Sequence, residues 1–299
     1  MKPQQTLPQT ITPFGLLAAL AVLGAGCAGV KANRTVALPG LPALAGAKSV
    51  RVIERREEVT QPYQVVGQVT VHRSGTMLTK GTSLDRMRPI AAAMGADGLI
   101  GFTESHGAGK NFGIGSGYAW VHSCLAVKWL SPGQKPQPVS VPMVVGLLPS
   151  SAAKDHAKSV KMVHESASAL LGLKGYYPIP LAGPVLKGGL DELKTLGDAE
   201  LMAVGGAESQ LLLDLSVVDA KQTYAVVGNN VKAQIQVSIL DKQTRSYVLQ
   251  ETHQQSDFEV TILGGGVVPF TWDQHRREVF ERALISALQQ LKPIATVVD

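Results

Sequence analysis

The chain has little cysteine. Two residues in 299, Cys27 and Cys124, leave no room for a disulfide framework once one of them has another task. Charge is sparse too: Asp, Glu, Lys and Arg make up 17% of the chain, below the usual quarter. The net charge of +5 is spread thinly, and no basic run exceeds the pairs Arg55-Arg56 and Arg276-Arg277. Without a basic stripe, nucleic acid is not an expected partner. Nor is there an apolar run near the roughly 20 residues that a membrane-spanning helix needs.

There is, however, a shorter apolar run. Phe14–Gly26 (FGLLAALAVLGAG) carries no charge, and Lys2 is the only charge before it. This is the size of the central region of an export signal. It ends in Leu23-Gly24-Ala25-Gly26-Cys27-Ala28, where small residues let a protease approach and a thiol can accept a diacylglycerol. These residues resemble the bacterial lipobox. The resemblance implies cleavage before Cys27 and lipidation of its thiol. Ala28 in place of the aspartate that marks inner-membrane retention implies an outer-membrane lipoprotein facing the periplasm. Two or three acyl chains anchor a protein stably, whereas one does not. Cys124 is then left to behave as a small buried hydrophobe.

With 1–26 read as signal, 27–47, rich in Ala, Gly and Pro, reads as a lipidated tether. The stretch 131–138 (SPGQKPQP) reads as a linker, because three prolines oppose regular pairing. It separates a first domain, 48–130, from a second, 139–299. The expected fold class is α+β for the first and α/β with a mixed sheet for the second.

In the first domain, strand-like runs at 50–53 and 65–71 precede a helix expected to be capped by Ser83 and ended by Gly95, with Pro89 as a difficulty inside it. A buried strand follows at 96–101, then the glycine-rich 107–117 and a last strand, 118–129. Tyr63–Val69, Met94–Gly101 and Ala119–Val127 resemble the small α+β domains of YbjQ-like and RcsF-like envelope proteins. That resemblance implies a sensing or binding domain without established chemistry.

In the second domain, 139–148 reads as a strand. Residues 151–174 read as an amphipathic helix through Ala153, Ala157, Val160, Val163, Ala167, Leu170 and Leu171. A strand after Tyr177 and a short helix with Leu190, Leu193 and Leu196 come next. Then follows a meander in which Val231–Ile239 alternates cleanly, Gly228-Asn229-Asn230 makes a turn and 246–258 pairs last. Thr271 and Gln274 read as the capping box of a final helix stopped by Pro293. Val144–Pro149, Lys174–Pro180, Gly197–Met202 and Leu240–Thr244 resemble a family of envelope lipoproteins encoded beside CsgG-type secretion lipoproteins, with a fold similar to the TolB N-terminal domain and LpoB. Arg245 stands where that family usually has a turn glycine. The resemblance implies a protein partner, possibilities including a CsgG-like lipoprotein, and work in assembling or regulating a secretion or peptidoglycan-synthesis machine.

Catalytic patterns are weak. Around Gly109-Lys110 in the stretch 107–117, Glu104 and Asn111 stand where a phosphate loop needs a glycine and a hydroxyl, so a flexible hairpin is expected. His122 and Cys124 share a strand face and, with His72 and His106, sketch a soft metal site, but two ligands fall short of the four of a closed zinc site. A metal-binding or stress-sensing role of the first domain is therefore the alternative reading. No G-x-S-x-G elbow appears, His156 and His164 lack H-E-x-x-H spacing, and His253, Asp257 and Glu259 read as a solvated strand face. The expectation is a non-enzyme with no cofactor, no metal and no small-molecule substrate. The apolar 260–270 segment around Gly264–Gly266 stands out. Ile262, Leu263, Val267 and Phe270 either fold into the core or form a partner-binding loop.

Overall fold

The computed structural model describes residues 28–34, 46–115, 117–137, 141–149, 157–182, 188–206, 208–225, 228–260 and 270–298. The chain is mixed α+β with two mixed sheets. The first contains β1 (Ala28–Arg34), β2 (Arg51–Ile53), β3 (Tyr63–Ser74), β4 (Gly98–Ala108), β5 (Tyr118–Trp129) and β11 (Thr296–Val298), in the order β11-β1-β3-β5-β4-β2. Only β2 and β4 run parallel. The second contains β6 (Val144–Leu147), β7 (Tyr177–Pro180), β8 (Leu211–Ala225), β9 (Gly228–Asp241) and β10 (Tyr247–Val260), in the order β10-β9-β8-β6-β7. Here β6 is parallel to both neighbours, as a crossover through a helix requires.

Helix α1 (Lys80–Ala93) covers one face of the first sheet, packing Leu84, Met87 and Ala91 with Val69, Leu99, Cys124 and Ala126. The cap is Thr79, whose hydroxyl accepts from Thr82 N at 3.3 Å; Ser83 lies inside the helix, not at its start. Pro89 is accommodated within α1. The carbonyl it orphans, four residues back at Asp85, belongs to an exposed residue that water reaches. Helix α2 (Ala157–Leu173) lies against the sheet's other face and also against β7, β8 and helix α5 (Phe270–Leu288) of the second unit. Gly172 permits this approach: a Cβ there would stand 3.2 Å from Ser123 Oγ and from a Val121 methyl. Val163, Ala167 and Leu171 meet Phe280, Leu284 and Leu288 over the inner side chains of β9. There Val231, Ala233, Ile235, Val237 and Ile239 are all buried, as their alternation demands. Short helices α3 (Leu190–Lys194) and α4 (Asp198–Ala203) close the opposite face through Leu190, Leu193 and Leu201.

Several boundaries differ from expectation. Residues 28–34 are not a tether: they form β1, paired along their whole length with β3. The far C-terminal β11 leaves the second unit and adds to β1 in the first sheet. Asn33 Nδ2 donates to Ile294 O at 2.8 Å, so β1 and the segment leading into β11 hold each other. Gly228–Asn230 are not the turn: they are paired with Thr223–Ala225 in the β8–β9 ladder. The proline-rich stretch lies between β5 and β6, but the units on either side are joined by polar contacts as well as by α2. Gln68 Nε2 donates to Tyr176 O at 2.9 Å, and the Tyr177 hydroxyl donates to Gly101 O.

Arg245 adopts φ 56°, the left-handed conformation that a turn glycine would supply freely. Its guanidinium donates to Lys194 O at 2.7 Å and pairs with Asp198 at 2.5 Å, which ties the β9–β10 turn to α3 and α4 and offsets a backbone cost of about 1 kcal/mol.

Gly67 marks a register shift between β3 and β5. A Cβ at this residue would fall 2.0 Å from Asn33 O and 2.5 Å from Met94 Cε. Gly67→Ala is therefore expected to push β1 off β3 and to cost about 2–3 kcal/mol or more, read as a lowered urea midpoint. A midpoint equal to that of the parent chain would refute the close approach.

Candidate functional site

The densest polar cluster lies where β4, α2 and α5 meet. Arg277 and Glu281 sit four residues apart on α5, one turn before Leu284 and Leu288 on the same face, so the helix carries an ion pair into the core. Glu281 is 1% exposed. Its carboxylate accepts from Ala108 N at 2.9 and 3.1 Å, Asn111 Nδ2 at 3.0 Å, Ser166 Oγ at 2.8 Å and Arg277 Nε at 3.0 Å. Arg277 Nη2 goes on to His106 O at 2.9 Å and Glu165 at 3.4 Å. The His106 ring stacks on Trp120 at 5.3 Å, with Glu165 3.6 Å from its Nε2. Four donor groups therefore meet the buried Glu281 carboxylate, as a buried charge requires. Such an arrangement holds three elements in register.

The glycine-rich stretch 107–117 is part of this cluster, not a loose hairpin. Gly109 N donates to Gly117 O at 2.7 Å, and Phe112 lies where a Gly107 side chain would be, 2.3 Å from the ideal Cβ. Phe112 in turn packs on the core beneath α5.

Beside the cluster runs a groove of about 570 Å³, lined among others by Glu104, Leu147, Val160, His164, Glu165 and Pro180. Ser105, also in its wall, donates to Val121 O at 3.2 Å, so its proton is committed to the sheet. That is not the geometry of an activated nucleophile.

The imidazoles and thiol that sketched a metal site are in separate settings. His122 and Cys124 do lie on one strand two residues apart, but His122 Nδ1 is 2.8 Å from Ser83 Oγ and its ring meets Phe102 edge-on. Cys124 is embedded in the α1 cluster, and burial raises its thiol well above the usual range. His72 lies under Gly29 on the neighbouring strand. Among the described residues, no three His, Cys, Asp or Glu side chains stand where they could hold one metal ion. His253 and Asp257 are half-buried and face α5; the solvated face of β10 is the other one, with Val248 and Phe258. Asp257 tolerates this because Arg282 of α5 pairs with it, and that hydrogen bond holds its pKa down. Cys27, Ile262, Leu263 and Val267 lie outside the described residues; Phe270 opens α5, with its side chain outside the description. Glu281 and Arg277 are what the sequence reading missed. The available signal was a charged pair spaced i, i+4 on a helix face continued by Leu284 and Leu288.

Burial lowers the pKa of His72, His106, His122 and His164, with Lys31 and Arg277 adding to the effect at His72 and His106. For each, the unfolded chain binds a proton more readily than the folded one below pH 6.5. Stability is therefore expected to be highest above that value. It should fall as acidification proceeds toward the folded pKa values, with a slope of up to about 1.4 kcal/mol per pH unit per proton. Melting temperatures between pH 7.5 and 5 check this, and His122→Asn should flatten the slope. A flat profile for the parent chain would contradict buried neutral imidazoles.

No family profile and no curated protein matches the chain. Solved structures that align with it include a hypothetical protein from Chlamydia trachomatis, at 12% identity and TM-score 0.33, covering 52% of this chain and 98% of that one. A lipoprotein from Neisseria meningitidis aligns at 13% and 0.30, covering 46% and 95%. The PelC dodecamer from Paraburkholderia phytofirmans aligns at 10% and 0.32, covering 50% and 89%. At such TM-scores these likenesses carry no argument about this chain. Among the described residues, no helix is long and apolar enough to cross a membrane.

Proposed function

We propose that the chain is an outer-membrane lipoprotein, anchored through acylated Cys27 and facing the periplasm, whose body binds protein and is not an enzyme. The observation that carries this is the uncharged run Phe14–Gly26 ending in Leu23-Gly24-Ala25-Gly26-Cys27. The polar clusters support the second half of the reading, since Glu281 and Ser105 both have their hydrogen-bonding capacity committed within the fold. In this reading the first sheet corresponds to a YbjQ-like or RcsF-like unit and the second to a TolB-N-like one. The work is assembly or regulation of a secretion or peptidoglycan-synthesis machine, with a CsgG-like lipoprotein as one candidate partner.

Cells fed an alkyne fatty acid should label the parent chain and leave Cys27→Ser unlabelled; equal labelling of both refutes the anchor. For the partner, Leu263→Asp with Val267→Asp should leave the melting temperature close to that of the parent and abolish capture of the crosslinked partner. An early melt assigns those side chains to the core instead.

A further inference from the structure

The position of β1 decides which way an anchored body would face. Cys27 is one peptide bond from Ala28, so their Cα atoms are about 3.8 Å apart. Ala28 is already in the first sheet, opposite Arg73 of β3, and Arg73 is opposite Trp120 of β5. The same end of the sheet holds the turn after β3, where Gly75 N donates to Tyr118 O at 3.0 Å, and the contact of Tyr118 with Ala108. Two large apolar side chains are exposed here, Met77 at 61% and Tyr118 at 44%; among the described residues the other exposed large hydrophobics, Met202, Val218, Val248 and Phe258, belong to the second unit. Arg73 and Trp120 lie beside them half-buried, Trp120 against the α1 cluster, and Lys110 on the adjoining hairpin is well exposed while it reaches Glu278 at 2.5 Å. A tyrosine, a tryptophan, a flexible thioether and long basic side chains are the mixture that suits the level of lipid headgroups.

We infer that this end of the first sheet, around Arg73, Met77, Lys110, Tyr118 and Trp120, is a membrane-docking surface that lies on the bilayer holding the anchor. The inference rests on the anchoring reading above and adds an orientation to it. A free tether of some twenty residues would leave the body to tumble; a strand that starts beside the lipidated residue presses one end of one sheet to the lipid. Met77 enters the headgroup boundary, the basic side chains meet anionic lipid, and the opposite end of β5 at Trp129 points away. From Trp120 to Trp129 is nine residues of strand, a separation of roughly 30 Å.

That separation provides the test. Full-length chain is purified from membranes and reconstituted into vesicles of phosphatidylethanolamine with a quarter phosphatidylglycerol, with or without brominated acyl chains that quench tryptophan. One variant retains Trp120 (Trp129→Phe with Trp272→Phe) and another retains Trp129 (Trp120→Phe with Trp272→Phe). Trp120 is expected to lose half or more of its emission on bromination, and Trp129 almost none. Met77→Asp, at an exposed site, should reduce the quenching of Trp120 without releasing the protein from the vesicles. Mass spectrometry of the same material reports the acyl group. An unacylated Cys27 overturns the anchor and this orientation together. Acylated protein in which Trp120 stays unquenched, or in which both tryptophans are quenched alike, overturns the orientation alone.

Discussion

Glu281→Ala is expected to lower the melting temperature by about 10 °C, the largest single effect among the substitutions considered. The carboxylate is the common acceptor for Ala108 N, Asn111, Ser166 and Arg277, and its removal leaves the buried Ala108 amide without its acceptor and Arg277 without the nearer of its two carboxylates. Breaking one side of such a pair costs about 3–5 kcal/mol, and in a domain of 150–250 residues each kcal/mol shifts the midpoint by about 2–4 °C. Because the carboxylate joins β4, α2 and α5, the loss should also appear as faster amide exchange at Ala108 and along the glycine-rich hairpin. Glu281→Leu combined with Arg277→Met should recover part of the stability, since two apolar side chains leave no uncompensated charge. A single Glu281→Ala that melts with the parent chain would show that the cluster is peripheral to the fold.

Lys242→Met should also destabilise strongly, by about 3 kcal/mol. Lys242 is 2% exposed, and its ammonium donates to Met202 O and Val204 O at 2.8 Å and to Gly206 O at 3.1 Å. Three donors meet three carbonyls where α4 ends, the terminus whose acceptors lack partners and whose dipole favours a cation. Burial brings its pKa down to about 8, and it remains charged at neutral pH. Methionine keeps the length of the side chain and fills the space, so the loss measures the three carbonyls, at about 1 kcal/mol each. Urea unfolding checks the value. Lys242→Arg offers donors in a planar fork that does not match a tripod of carbonyls, and it should not restore stability fully. If the methionine variant unfolds at the same urea concentration as the parent, the cap contributes nothing.

Local pattern accounts for much of what was legible. The alternation in Val231–Ile239 determined the buried face of β9, because a strand side chain has only two directions. The stripe through Val163, Ala167 and Leu171 determined the inner face of α2 for the same kind of reason. The departure at Arg245 marked a turn that does need a positive φ. The uncharged run before Cys27 and the shortage of basic clusters are likewise legible in one dimension.

Other features depended on partners far away in the chain. AGVKANR at 28–34 has the composition of a spacer, and it is a strand only because β3 and β11 supply hydrogen bonds on both sides. Ser83 has the look of a cap, yet burial against His122 places it within a helix that Thr79 begins. His253 and Asp257 have the pattern of a solvated face, yet α5, with Arg282, covers that face of β10. Glu281 and Arg277 are ordinary helix charges in one dimension; the donors that make their burial affordable come from Ala108 and Ser166, more than a hundred residues away. The sequence by itself determined periodicity, because each side chain's direction follows from its own backbone. Which strand lies beside which, and which charges can be buried, was decided only by the tertiary structure, because a hydrogen bond or an ion pair needs a second group that the local pattern does not contain.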